Sequence, residues 1–199
     1  MKKPFVIGLT GSIGMGKTTT AKMFAEKGIP VWSADEAVHR IYRSGGPAED
    51  AIARICPSAV GDAGVDRAEL SEWLAGRPER LAQLEEIVHP LVREDRRRFL
   101  ENVDSEIVLL DIPLLFETGA DAGVDTVVVV TTSPEEQRRR ALARQGMSEE
   151  KLKVILGNQM PDSEKRARAD HIIETATLDD ANAAVQKVIN EIKDHLAHA

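Results

Sequence analysis

The stretch Gly11-Ser12-Ile13-Gly14-Met15-Gly16-Lys17-Thr18 has the form G-x-x-x-x-G-K-[ST], and its flanks decide how it is read. Ahead of it, Phe5-Val6-Ile7-Gly8-Leu9 is a short apolar run of the kind that makes a buried strand. Behind it, Thr19 to Lys27 has helix length and stops at Gly28, a natural C-terminal cap. Strand, glycine-rich turn and helix in that order make a phosphate-binding loop. Gly11, Gly14 and Gly16 let the backbone fold tightly. Successive N–H groups, those of Ser12, Ile13, Met15 and Thr19 among them, then face phosphate oxygens beside the positive end of the helix dipole. Lys17 is expected to be exposed in an empty cleft and to reach the β- and γ-phosphates, with the Thr18 hydroxyl placed to ligate Mg²⁺. The motif points to a nucleoside triphosphate as ligand.

The 199 residues are enough for one sizeable α/β core with an inserted subdomain. A composition of 42% hydrophobic and 30% charged residues is that of an ordinary soluble protein. The net charge of −7, with Lys and Arg spread along the chain, argues against broad nucleic-acid binding. Cys56 is the single cysteine and cannot form an internal disulfide, which suits a reducing cytoplasm. No segment has the length and apolarity to span a bilayer. The five histidines have no metal-ligand spacing.

Four further stretches read as strands: Ile29–Trp32, Ile107–Asp111, Thr126–Thr131 and His171–Glu174. The unbroken Val127-Val128-Val129-Val130 run suits a strand buried on both faces. Strands separated by helical patterns imply a parallel sheet with helices on both sides and ligands at the carboxyl ends of the strands. Ser133-Pro134-Glu135-Glu136 and Thr177-Leu178-Asp179-Asp180 each open a helix. Between 44 and 104 helical patterns dominate and no convincing strand appears. This segment reads as a helical insertion, with Pro90 expected to kink or break its main helix. The core is then 1–43 with 105–199.

A phosphate loop does not by itself separate a switch GTPase, a motor ATPase and a small-molecule kinase. No guanine-reading Asn-Lys-x-Asp or Thr-Lys-x-Asp segment is present. Arg138, Arg139, Arg140 and Arg144 follow the fourth strand, where small-molecule kinases carry a mobile lid. Arg140 and Arg144, four apart, are expected to share one helical face turned to the cleft.

The sequence resembles the dephospho-coenzyme A kinases over nearly its whole length. The resemblance lies in Leu9–Thr19, Ala34-Asp35, Asp66-Arg67-x-x-Leu70 and His89-Pro90-Leu91-Val92-Arg93. It continues in Asp111-Ile112-Pro113-Leu114-Leu115-Phe116-Glu117, Gln137-x-x-Arg140-x-x-x-Arg144, Gln159-Met160 and Ala169-Asp170. It implies a P-loop nucleoside triphosphate hydrolase-like, three-layer α/β/α fold with a parallel sheet of about five strands. It also implies an acceptor-binding insertion over 44–104 and a helical lid over about 134–165. The implied reaction is transfer from ATP, with Mg²⁺, to the ribose 3′-hydroxyl of dephospho-coenzyme A. The partner is thus a small-molecule substrate, with no nucleic acid, membrane or obligate protein partner.

By that resemblance Asp35 aligns with the family's proposed base, while Ser33 replaces its first acid. A helix-capping role at the same junction is the alternative for Asp35. Asp111 ends a strand where a Walker B acid holds Mg²⁺. Arg67, His89 and Arg93 match acceptor-domain positions, with arginine forks suited to a pyrophosphate. Pro113, Leu114 and Phe116 are candidates for the acceptor pocket or for plain core. Arg140 is a candidate for stabilising charge during transfer, and Arg144 for holding the nucleotide. Ser12, Met15 and Glu174-Thr175 depart from the family pattern. The alternatives are a nucleoside-monophosphate-type kinase and a non-catalytic nucleotide sensor.

Overall fold

The computed structural model describes residues 3–198. In chain order its elements are β1 (Phe5–Thr10), α1 (Lys17–Glu26), β2 (Val31–Ser33), α2 (Ala34–Tyr42) and α3 (Glu49–Ile55). There follow β3 (Val60–Gly61), β4 (Gly64–Val65), α4 (Arg67–Leu74), α5 (Pro78–Asn102), β5 (Ile107–Asp111) and β6 (Thr126–Thr131). The chain then runs through α6 (Pro134–Leu142), α7 (Glu149–Gly157), α8 (Asp162–Ala167), β7 (His171–Glu174) and α9 (Leu178–Ala197). The main sheet has the order β2-β5-β1-β6-β7. β1 pairs in parallel with β5 on one side and β6 on the other, and β7 pairs in parallel with β6. The strand order therefore reverses across β1, and the loop that leaves β1 sits at the switch point where α/β sheets bind ligands.

The unalternated apolar runs explain the layering. All residues of β5 and β6 are buried, as strands covered on both faces must be. Ile7, Leu9, Leu109, Val128, Val130 and Ile173 point to one face, where Phe24 of α1 and Val185, Ile189 and Ile192 of α9 cover them. The apolar stripe of α9 is thus a core surface. Caps fall where short polar side chains predict them: Ser133 accepts from the Glu136 N–H and Thr177 from the Asp180 N–H.

The chain up to Val31 together with Asp104 onward forms one compact unit, and Trp32–Val103 forms the second. The second unit begins at Trp32 rather than at 44. The Trp32 indole donates to Asp95 (2.7 Å) and Arg40 pairs with the same carboxylate (2.6 Å), which fastens the end of β2 and all of α2 to α5. Its core is Ile41, Ile52, Leu70, Leu84 and Val88.

Three local expectations are corrected. The segment does contain strands, the two-residue β3 and β4, too short for a period-2 signal. Helix α5 runs 25 residues straight through Pro90. A mid-helix proline costs about 3 kcal/mol. Here Leu84 and Val88 before it, and Leu91 and Val92 after it, pack on one core, and the helix is not broken at the proline. Helix α6 stops at Leu142, so Arg144 lies beyond it in a turn and shares no helical face with Arg140.

Leu109 is fully buried in the strand beside β1. Leu109→Ala is expected to lower the unfolding free energy by about 2–5 kcal/mol in urea titrations, the range for large-to-small core replacements.

Candidate active site

Gly16 precedes α1 in the left-handed conformation (φ 93°) and gives no side chain to the first-turn N–H groups. Those donors, at the positive end of a ten-residue helix, are left to an anion. Gly14 is also left-handed (φ 82°), and a Cβ there would lie 2.5 Å from the Gln137 carbonyl oxygen. Both positions require glycine.

Parallel pairing sets Asp111 opposite Leu9, so its carboxylate lands at the root of the loop. Lys17 Nζ lies 2.5 Å from Asp111 Oδ1. The expectation of an exposed Lys17 is corrected: its side chain is 13% exposed and that of Asp111 is 8% exposed. In such a low-dielectric setting an ammonium and a carboxylate seek each other. Thr18 and Thr19 are exposed at the start of α1, and Ser12 is buried. The Ile13 N–H is given to Gln159 Oε1 (3.1 Å).

A cavity of about 250 Å³ opens beside Gly16, lined by Thr19, Met23, Arg140, Thr175 and Leu178. Arg140 forms one wall. Its guanidinium donates to Thr175 Oγ1 (2.9 Å), to the Thr175 carbonyl (2.7 Å) and to Glu136 (2.6 Å). Hydrogen bonds from Arg139 and Arg140 hold the Glu136 carboxyl down at about 2, so it is charged at any physiological pH. The Thr175 hydroxyl in turn donates to the Met15 carbonyl (2.8 Å). Arg138 pairs with Glu149 and Arg139 with Glu136 on the surface, and Arg144 is exposed. Of the four arginines it is Arg140 that lines the cavity.

The loop after β5 is pinned at its far end. Glu117 accepts from the Met160 N–H (2.8 Å) and pairs at 2.9 Å with Lys165, whose side chain is fully buried. Burial pushes the Glu117 carboxyl up. The hydrogen bonds from Lys165 and the Met160 N–H outweigh it and hold the group below the usual carboxylate range. Phe116 is buried beneath the Arg168 guanidinium (4.4 Å to the ring centre), a packing position, while Leu114 is exposed and Pro113 half-buried. The Pro113 carbonyl accepts from Thr10 at 3.0 Å.

In the second unit, Asp35 is exposed in the first turn of α2. The cap of that helix is Ser33, whose hydroxyl accepts from the Glu36 N–H. Asp35 is thereby relieved of the capping role. Arg67 opens α4, lies over the Tyr42 ring (5.6 Å) and reaches His39 Nε2 (3.3 Å). His89 and Arg93, one turn apart on α5, are both exposed. Sequence reasoning missed the contacts of Gln137, Gln159, Lys165 and Thr175. The first two stood in matched motifs without a role, and nothing in the local pattern around Lys165 marks it as buried.

A parallel sheet with a phosphate loop at its switch point, a lysine–aspartate pair beneath it and an arginine-walled cavity beside it define a P-loop small-molecule kinase. Residues 5–180 match the family profile described as Dephospho-CoA kinase. A Cereibacter sphaeroides protein named Dephospho-CoA kinase is 52% identical over 192 residues, covering 96% of this chain and 98% of its own. The crystal structure of a Thermus thermophilus protein superposes with a TM-score of 0.86 at 35% identity, covering 96% of this chain and 98% of its own. A Campylobacter jejuni dephospho-CoA kinase structure gives 0.67 at 26% identity, with the same coverage. The chain belongs to the dephospho-CoA kinase family, whose members phosphorylate dephospho-CoA with ATP in the last step of coenzyme A synthesis, and it is a kinase.

Two outcomes are expected. Lys17→Ala removes the ammonium paired with the mostly buried Asp111 carboxylate, so besides abolishing turnover it is expected to lower the midpoint of chemical denaturation. Glu117 has a depressed folded-state pKa, so its contribution is full above the unfolded value of about 4.3 and is lost as pH falls through the folded one. Glu117→Gln is expected to lower stability at pH 7 and to flatten the acid limb of the stability-against-pH curve.

Proposed function

We propose that the chain moves the γ-phosphoryl group of ATP onto the ribose 3′-hydroxyl of dephospho-coenzyme A through Lys17, Asp111, Asp35 and Arg140. The observation that carries this reading is the Lys17–Asp111 pair at the switch point, 2.5 Å between ammonium and carboxylate. A bound triphosphate would compete for that ammonium and draw Lys17 to its β- and γ-phosphates, and Asp111 would be one of the residues that hold Mg²⁺. The Thr18 hydroxyl and Asp111 form an oxygen donor set that fits Mg²⁺. Among the described residues no group of three or more His, Cys, Asp or Glu is placed to hold a metal. Mg²⁺ held by Thr18 and Asp111 would draw further ligands from phosphate and water. When bound, it neutralises charge on the transferring phosphoryl oxygens.

The cavity beside Gly16 accommodates the nucleotide base, with Arg140 as its wall and the first-turn N–H groups of α1 on the phosphates. In this reading Arg140 supports nucleotide geometry through the base and sugar side as well as charge in transfer. Arg144 takes part through movement of the 134–165 segment, the proposed lid. Asp35, at the carboxyl end of β2 and free of capping duty, orients the acceptor hydroxyl and receives its proton. The Trp32–Val103 unit is the acceptor-binding part. Arg67, His89 and Arg93 there are the groups for a pyrophosphate, and Pro113 and Leu114 supply apolar contact. The buried free thiol of Cys56 accords with a cytoplasmic protein, and the reading needs no protein partner.

Asp35→Asn keeps shape but accepts no proton. It is expected to cut kcat by roughly 10²–10⁴, the span of a positioned base, with smaller changes in either KM and an unchanged melting temperature. Full turnover in a folded Asp35→Asn protein would remove Asp35 from the mechanism.

A further inference from the structure

The peptide groups of Ile13 are held from both sides. Gln137, in the first turns of α6, donates its side-chain amide to the Ile13 carbonyl at 2.9 Å. Gln159, between α7 and α8, accepts the Ile13 N–H at 3.1 Å. A peptide N–H can only donate and a peptide carbonyl only accept, so the orientation of both amides follows from their partners. Both glutamines are half-buried. The residue after Ile13 is Gly14, tight against the Gln137 carbonyl, so α6 and the loop fit without space for a methyl group.

Gln159 is itself held in place. Its neighbour Met160 gives its N–H to Glu117, and Glu117 also grips buried Lys165 of α8. One connection therefore ties two loops at once: the phosphate loop through Gln159 and the loop after β5 through Met160. The Met15 carbonyl, in the same turn, is taken by Thr175. Three polar groups of the turn are thus taken by side chains, while no side chain caps the first turn of α1.

We propose that Gln137 and Gln159 are positioning residues for phosphoryl transfer, clasping the Ile13 peptide so that the 134–165 segment fixes the geometry of the phosphate loop. In this proposal they act through the loop and not on either substrate. A clasp of this kind makes the loop's catalytic shape depend on where α6 and the α7–α8 connection stand. It deepens the assignment of the loop to ATP and rests on it. Direct measurement of ATP binding keeps the two separable.

The test uses the full chain and exploits the opposite polarity of the two bonds. Gln159→Glu keeps an acceptor for the Ile13 N–H. Gln137→Glu at pH 8 has no proton to donate and sets a carboxylate against the Ile13 carbonyl. Both variants add one negative charge beside the same residue, so a general electrostatic effect on ATP falls on both. With Mg·ATP and dephospho-coenzyme A, Gln137→Glu is expected to lose about tenfold in kcat, the scale of one hydrogen bond. Gln159→Glu is expected to stay within about twofold of the parent, and KM for dephospho-coenzyme A to be unchanged in both. Lowering the pH towards 5.5 protonates part of Glu at 137 and is expected to restore kcat relative to the parent protein. If Gln137→Glu does not fold, Gln159→Leu against Gln159→Glu carries the same comparison, with the leucine variant expected to lose the tenfold. Equal losses in the two charge variants, or unchanged kcat in Gln137→Glu or Gln159→Leu, would overturn the clasp. Loss of ATP binding by calorimetry in the parent protein would instead overturn the loop assignment.

Discussion

Pairing of β1 with β5 is the constraint from which the site follows. It sets Asp111 opposite Leu9, one step before the chain turns into the phosphate loop. The ammonium of Lys17, at the start of α1, then meets a carboxylate in a setting nearly closed to water. An isolated charge there would be costly, and a pair is tolerable. In the proposed mechanism a triphosphate would draw Lys17 to its phosphates.

A loop that presents N–H groups to a ligand must still satisfy its other polar groups. Here side chains from three separate parts of the chain do so. Gln137 and Gln159 take the two peptide groups of Ile13, and Thr175 takes the carbonyl of Met15. Thr175 also receives two bonds from Arg140, so the cavity wall and the loop are parts of one hydrogen-bonded network. Such networks are strong when complete, because low local polarity penalises each unpaired member. Thr175, the residue after β7, thus carries a defined contact.

Much of the fold was legible because the signals are local. Buried parallel strands announce themselves as unbroken β-branched and leucine runs, and β5, β6 and β7 fall on the residues those runs mark. Ser133 and Thr177 cap the helices their sequences open. The departures have physical reasons. Pro90 carries a local penalty, but the residues on both of its sides pack on one core and α5 continues through it. The hairpin of β3 and β4 has two residues per strand and no period to detect. Arg144 was placed on a helix whose actual end, at Leu142, no strong stop signal marks.

The sequence by itself determined the phosphate loop, the strands that flank it, the family and hence the reaction, since these rest on contiguous motifs whose geometry is short-range. Only the tertiary structure decided how that loop is held. It put Lys17 on Asp111, 94 residues away, the Ile13 N–H on Gln159, 146 residues away, and Thr175 on Met15, 160 residues away. It also moved the capping duty from Asp35 to Ser33 and put Lys165 out of reach of water. The reason is physical: a side chain's partner across the sheet is set by strand order and register, which couple residues without regard to their separation along the chain.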